Sequence, residues 1–271
     1  MRITYGKLGV PLQRVVRGAD GRHEVLAAEV SVEVLGENFV AAYTEGDNRQ
    51  VVATDTMKNF ILRETLDYGG ATLDGLVAHL ARGFLATYPV MEAVRVSARE
   101  LRFDALSDRL FARSHDDFGV AMVELRGSEL LDASSGREEL WLLKVTGSAF
   151  TKFARDDYTT LPERGDRPLF IRMDVHWRYG DPGDAEGERH VAPAEVRALL
   201  AKVFDGFVSE SIQHLVHEMG TRVLERWPQL SEVSFAAENH TRDPFDERED
   251  RKLYVPPFPA QGLITLTLDR S

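Results

Sequence analysis

Apolar and polar positions alternate along this chain in two different periods, and the switches between them mark its elements. Residues 3–17 and 24–35 step in twos. In the second run Val30, Val32 and Val34 alternate with Ser31 and Glu33, as expected of a strand with one face on a core. The apolar run Val51-Val52-Ala53 stops at Thr54-Asp55. A helical pattern follows, with Met57, Phe60, Ile61 and Leu66 near one face. Residues 76–100 hold a further apolar-periodic helix, a stop marked by Pro89, and an alternating strand. Strands are expected over 119–131, 139–145 and 169–177. Residues 192–207 read as a helix with Pro193 near its start, where a missing N–H costs little. Residues 263–268, LITLTL, close the chain with a two-residue alternation. The charged, Gly- or Pro-bearing stretches 179–188 and 241–251 read as solvated loops.

The second half repeats the first. Laid over residues 76–100, residues 215–239 match at Leu76/Leu215, Val77/Val216, Leu85/Leu224, Pro89/Pro228, Val94/Val233 and Ala98/Ala237, with Tyr88 over Trp227. Both copies read helix, aromatic-Pro, strand, and each half reads strands, helices, strands. The expectation is an α+β fold of two units, 1–117 and 118–271, with antiparallel sheets and helices on one face.

Charge narrows the partners. The net charge is −11, from 44 acidic and 33 basic residues, a field that repels phosphate backbones and anionic membranes. Neither nucleic acid nor membrane is expected as a partner. A small anionic substrate would need local positive charge. The chain has no cysteine, which removes disulfides, thiolate chemistry and Cys-based metal sites. No apolar run reaches membrane-spanning length, and the first ten residues lack a signal-peptide core. A cytoplasmic location is therefore expected.

Candidate chemistry is sparse when read residue by residue. Thr54-Asp55 at a helix start can accept hydrogen bonds from the free N–H groups of the first turn, which makes a helix cap the simplest reading. His214 and His217, followed by Glu218, share a helix face but lack a third ligand nearby; a polar face is the simpler reading and no metal site is expected. His176 beside Trp177 reads as an ordinary strand pair.

The combination of motifs says more. Tyr5-Gly6-Lys7, the phrase VVATDTMKN at 51–59, Ser148-Ala149-Phe150 followed by RDDYTTL at 155–161, Arg167 after Gly165-Asp166, Ile212-Gln213, Asn239 and the tail GLITLTLDRS occur in an order that resembles urate oxidase (uricase) from Tyr5 to Ser271. The resemblance implies the T-fold (tunnelling fold), two tandem β-β-α-α-β-β units per chain. It implies a homotetramer with active sites at subunit interfaces. The implied reaction is oxidation of urate by O2 and water to 5-hydroxyisourate and hydrogen peroxide, in purine degradation, with no cofactor and no metal.

The resemblance also implies roles. Phe150 would stack on the flat anion, and Arg167 would grip one edge with its planar fork. Gln213 would offer donor and acceptor to the opposite edge, and Ile212 a backbone N–H and an apolar wall. Thr54 and Lys7 would form a proton relay, with Asp55 holding substrate through its backbone. Many members carry Asn-x-His, whose His completes the relay; this chain reads Asn239-His240-Thr241. On a strand, Asn239 and Thr241 share a face. Either Thr241 takes the place of that His, or a bulge swings His240 inward; alternation favours Thr241. This departure keeps open a non-catalytic purine-binding or structural T-fold oligomer, against which the retained residues argue.

Overall fold

The computed structural model describes residues 3–19, 21, 23–256 and 259–270; the final Ser271 of the matching tail lies outside them. The chain forms two compact units, Met1–Gly136 with Arg178–His190, and Arg137–Trp177 with Val191–Ser271. The expected boundary at 117/118 differs from this division, in which residues 118–136 and 178–190 both belong to the first unit.

In the first unit β1 (Thr4–Arg17) and β2 (His23–Leu35) form a hairpin, followed by the short helix α1 (Val40–Thr44) and by helices α2 (Thr54–Asp67) and α3 (Leu73–Thr87). Strand β3 (Ala93–Glu100), a small hairpin of β4 (Phe103–Ala105) and β5 (Phe111–Arg113), and β6 (Phe118–Arg126) come next. Strands β1, β2, β3 and β6 are neighbours in that order and antiparallel throughout. The alternating positions Val30, Val32, Val34, Val94, Val96, Val123 and Leu125 are all buried. Against that face α3 sets Leu76, Val77, Leu80 and Phe84, with the Phe60 ring of α2 tilted against Phe84 at 4.3 Å. Burying such side chains contributes about 1.5–3 kcal/mol each, which is why the valine ladder, rather than helix propensity, fixes this unit.

The second unit repeats the order. Strand β7 (Glu129–Lys144) enters it from the first unit and β8 (Leu169–Tyr179) returns. Then follow α4 (Pro193–Gly206), α5 (Ile212–Arg226), β9 (Leu230–Asn239), a hairpin of β10 (Asp243–Arg248) and β11 (Arg251–Val255), and β12 (Gly262–Asp269), antiparallel to β9. Leu169, Ile171, Met173, Val175 and Trp177 bury one face of β8, and Leu215, Val216, Met219 and Val223 bury one face of α5. Each half thus reads β-β-α-α-β-β, with the short α1 added in the first and a hairpin inserted between the last two strands of each. The offset seen in sequence holds down to single hydrogen bonds. Thr72 caps α3 by accepting from the Gly75 N–H, and Ser211, its counterpart, caps α5 by accepting from the His214 N–H.

Several expectations change. The strand expected over 119–131 is two: Gly127, at φ +57, turns the chain between β6 and β7, and the run at 139–145 is the second half of β7. The segment 241–251 is not a loop, since most of it lies in the β10–β11 hairpin. Part of 179–188 is a 3-10 turn, Pro182–Ala185. Among the described residues no helix is long and apolar enough to cross a membrane.

One polar cluster lies buried in the first unit. Asp74, in the first turn of α3, accepts from the Ser135 hydroxyl and pairs with His190 Nε2 at 3.0 Å, while the Tyr179 hydroxyl lies 3.3 Å from Ser135 Oγ. The clasp ties the returning segment 178–190 to the helix.

Candidate active site

Three stretches of the second unit converge through backbone bonds. The Ala149 N–H donates to the Ser209 carbonyl at 2.8 Å, and the Arg167 N–H donates to the Ser148 carbonyl at 2.8 Å. Phe150 and Arg164 exchange both of their backbone bonds, at 2.8 and 3.0 Å. Beneath them the buried Ser148 and Ser209 hydroxyls meet at 3.2 Å, which explains a serine at the head of the Ser-Ala-Phe motif. Asp166 closes the neck by accepting from the Thr146 hydroxyl and the Gly147 N–H, each at 2.7 Å. These bonds hold the Asp166 carboxyl below the usual carboxylate range, the Thr146 hydroxyl contributing most.

The convergence builds a pocket of about 130 Å3 lined by Phe150, Leu161, Arg167, Ile212, Gln213, Asn239, Thr241, Gly262 and Ile264. Six of these are residues singled out in the sequence. Arg167 is the key to its chemistry. Its guanidinium carbon lies 5.3 Å from the centre of the Phe150 ring, and its Nε is buried with no hydrogen-bond partner. Burial, and then the charge of Arg164, depress the Arg167 proton affinity. A planar anion in the pocket would satisfy that N–H and offset that cost. Ile212 and Gln213 open α5, so their N–H groups belong to the unbonded first turn of a helix, where negative charge is favoured. Among the described residues, no unpartnered buried donor lines the larger hollows near Tyr68 in the first unit and Phe170 in the second.

Strand β9 ends at Asn239, and the residues at and just past its end fall on two sides. Asn239 pairs with Gly262 of β12 and faces the pocket, as does Thr241. His240 lies on the reverse. Its N–H donates to the Phe170 carbonyl at 2.9 Å, its ring packs on Trp141 at 4.5 Å, and its Nε2 sits 3.2 Å from Glu238 Oε2. Glu238 is held in turn by Arg172, which also binds Glu139 and Asp174. No bulge brings His240 into the pocket.

Lys7, Thr54 and Asp55 belong to the first unit and do not line this pocket. Lys7 is half-buried on β1, just before a bulge at Gly9, whose φ is +63. Beside it, a Cβ added to Gly6 would lie 1.9 Å from the Val32 carbonyl oxygen, so only glycine fits there. The neighbouring Tyr5 hydroxyl accepts from the Val52 N–H at 3.0 Å and so ties β1 to the run before α2. The cap reading of Thr54-Asp55 does not hold. Ala53 is the cap position and makes no side-chain cap, so Thr54 and Asp55 already lie inside the helix. The Asp55 carboxylate bonds Lys58 and Asn59, and its pKa is lowered chiefly by Lys58, with a smaller pull from Lys7. The Thr54 side chain is left exposed.

His214 and His217 are exposed on α5, and among the described residues no group of three His, Asp or Glu is arranged to hold a metal ion. His176 pairs with Glu138 at 3.1 Å, and Trp177 is core. Sequence reading missed Leu161, Gly262 and Ile264 as pocket walls. Leu161 ends the RDDYTTL motif, and Gly262 and Ile264 share one face at the head of GLITLTL, so both signals were present.

A family model described as Uricase matches residues 3–121 and 133–265. A uricase of Haloferax volcanii is 44% identical over 93% of this chain and 89% of its own length. A uric acid degradation bifunctional protein of Bacillus subtilis is 37% identical over 91% of this chain, which spans 54% of it. Among solved structures, a hyperthermostable mutant of Bacillus sp. TB-90 urate oxidase superposes with a TM-score of 0.92 at 33% identity, covering 99% of this chain and 98% of that one. The uricase of Arthrobacter globiformis gives 0.91 at 33% identity, covering 100% and 94%.

Proposed function

Because the chain belongs to the uricase family, we propose a division of labour in its active site that follows from the residues above. The protein is an oxidoreductase that oxidises urate, in uric acid degradation. The single observation that carries the site assignment is the buried, unpartnered Nε of Arg167 beside the Phe150 ring.

In this reading the urate anion lies against Phe150. The Arg167 fork takes one edge bidentately, and the Gln213 amide and the Ile212 N–H take the other. Asn239 and Thr241 close the side where O2 and water react. Thr54 relays a proton from the bound anion to Lys7. The resulting dianion gives two electrons to O2, which leaves as hydrogen peroxide after taking up the relayed proton and one proton from the water that adds to the ring. Water adds to the oxidised ring to give 5-hydroxyisourate, so urate, O2 and water balance the two products. The reading needs no metal and no organic cofactor.

The second unit's pocket supplies a stacking surface, a cation and an amide, but no base. Family membership supports a homotetramer in which Lys7, Thr54 and Asp55 of one chain face Phe150, Arg167 and Gln213 of its neighbour. The test is purified protein given urate and oxygen, with and without EDTA. Urate loss matched by peroxide, unchanged by the chelator, is the expected result. Activity abolished by EDTA and restored by zinc, copper or iron would overturn the metal-free reading.

A further inference from the structure

Phe150 does not stand alone. The Phe153 ring stacks on it with centroids 4.9 Å apart and planes only 10° from parallel, and the Arg155 guanidinium carbon lies 5.2 Å from the centre of the Phe153 ring. Residues three apart meet on a helix surface, but this segment is not a helix. They meet here because the chain doubles back through Lys152, a non-glycine residue held at φ +59. That left-handed conformation is costly for a lysine and persists only where its surroundings impose it. Three bonds do so: the Lys152 N–H donates to Glu163 Oε1 at 2.9 Å, and Phe150 and Arg164 are locked together by a backbone bond in each direction. Phe153 does not line the pocket; it backs the residue that does.

We infer that Phe153 is a positioning residue for substrate binding, one that fixes the plane of the Phe150 ring against which a flat anion stacks beside Arg167. A phenyl ring has two faces, and Phe153 permanently covers one of Phe150's. A ring left to rotate would be ordered only on binding, at a cost in affinity. With Phe153 stacked behind it, the ring is set in the absence of ligand. The strained turn at Lys152 is what brings Phe153 into place. The inference rests on the proposed stacking role of Phe150, and its test separates the two.

KM and kcat for urate, and the dissociation constant of a flat unreactive purine dione, would be measured for Phe153→Leu, Phe153→Tyr, Glu163→Ala and Phe150→Leu. Phe153→Leu should raise KM and the dissociation constant about three- to tenfold, the range expected for one aromatic pair, with kcat within about twofold. Phe153→Tyr should restore most of that loss, which a merely space-filling role would not require. Glu163→Ala removes an exposed side chain, empties no core, and should raise KM in the same direction by loosening the turn. If Phe150→Leu weakens binding while Phe153→Leu and Glu163→Ala do not, the positioning role is overturned and the site stands. If Phe150→Leu also leaves binding unchanged, the stacking assignment itself falls.

Discussion

A single guanidinium tests the binding assignment. Arg167→Lys keeps the charge but loses the fork, and an ammonium cannot make the bidentate contact. The expected loss in affinity for urate or a purine inhibitor is about 1.5–3 kcal/mol, measured by calorimetry. A near-parental dissociation constant would remove Arg167 from the site. At the end of β9, Thr241→Ala should lower kcat by on the order of a hundredfold, the low end for a positioned proton-transfer group, and His240→Ala by less than about tenfold. The ranking follows from the two sides on which successive residues fall past the end of β9, with Thr241 in the pocket and His240 on Trp141. The reverse order in steady-state assays would return His240 to the relay. This alternation was legible in the sequence, because a period of two needs no knowledge of neighbours. The burial of Arg167 was not, because it depends on backbone bonds between 146–150, 164–167 and 209 that no local pattern encodes.

Among the elements, the paired helices and long strands were legible from their apolar faces, but on α2 Leu66, expected on the inner face, is exposed and Thr65 is buried in its place. The hairpins β4–β5 and β10–β11 were not. Most of their residues are exposed, as Phe245 and Leu253 are, so no core-facing period announces them. The β6–β7 turn hid inside an apolar run because it is only two residues long, Gly127 and Ser128. The loop that carries Phe150 and Arg167 depends on Asp166, whose depressed pKa makes its contribution dependent on pH. A carboxylate with a folded pKa below its unfolded value stabilises the fold above the unfolded pKa. That contribution fades as pH falls through the folded pKa. Asp166→Asn should therefore cost stability near neutral pH, about 0.5–1 kcal/mol given the exposure of the group. The gap to the parent in urea melts should narrow once pH drops below the ordinary Asp value of about 3.9. A gap that persists unchanged in acid would mean that the ionised form is not what holds the neck.

For the whole molecule, sharing each site between chains has a direct test. Lys7→Met and Arg167→Ala proteins should each be nearly inactive. Unfolded together and refolded as mixed oligomers, they should regain activity, because random pairing leaves roughly a quarter of the sites with both halves intact. No recovery in proven mixed oligomers would mean that one chain holds a complete site. The buried clasp around Asp74 bears on a different number. At the repeat offset Asp74 is the counterpart of Gln213, and Glu100, which accepts from the Gly119 N–H at 2.8 Å, is the counterpart of Asn239. Where the second copy leaves an amide free for a guest, the first has its acid already engaged by Ser135 and His190. The expectation is therefore one binding site per chain, not two. One copy kept a vacancy while its twin turned the same position inward, and titration with a flat purine should saturate at one molecule per polypeptide, with two per polypeptide refuting the asymmetry.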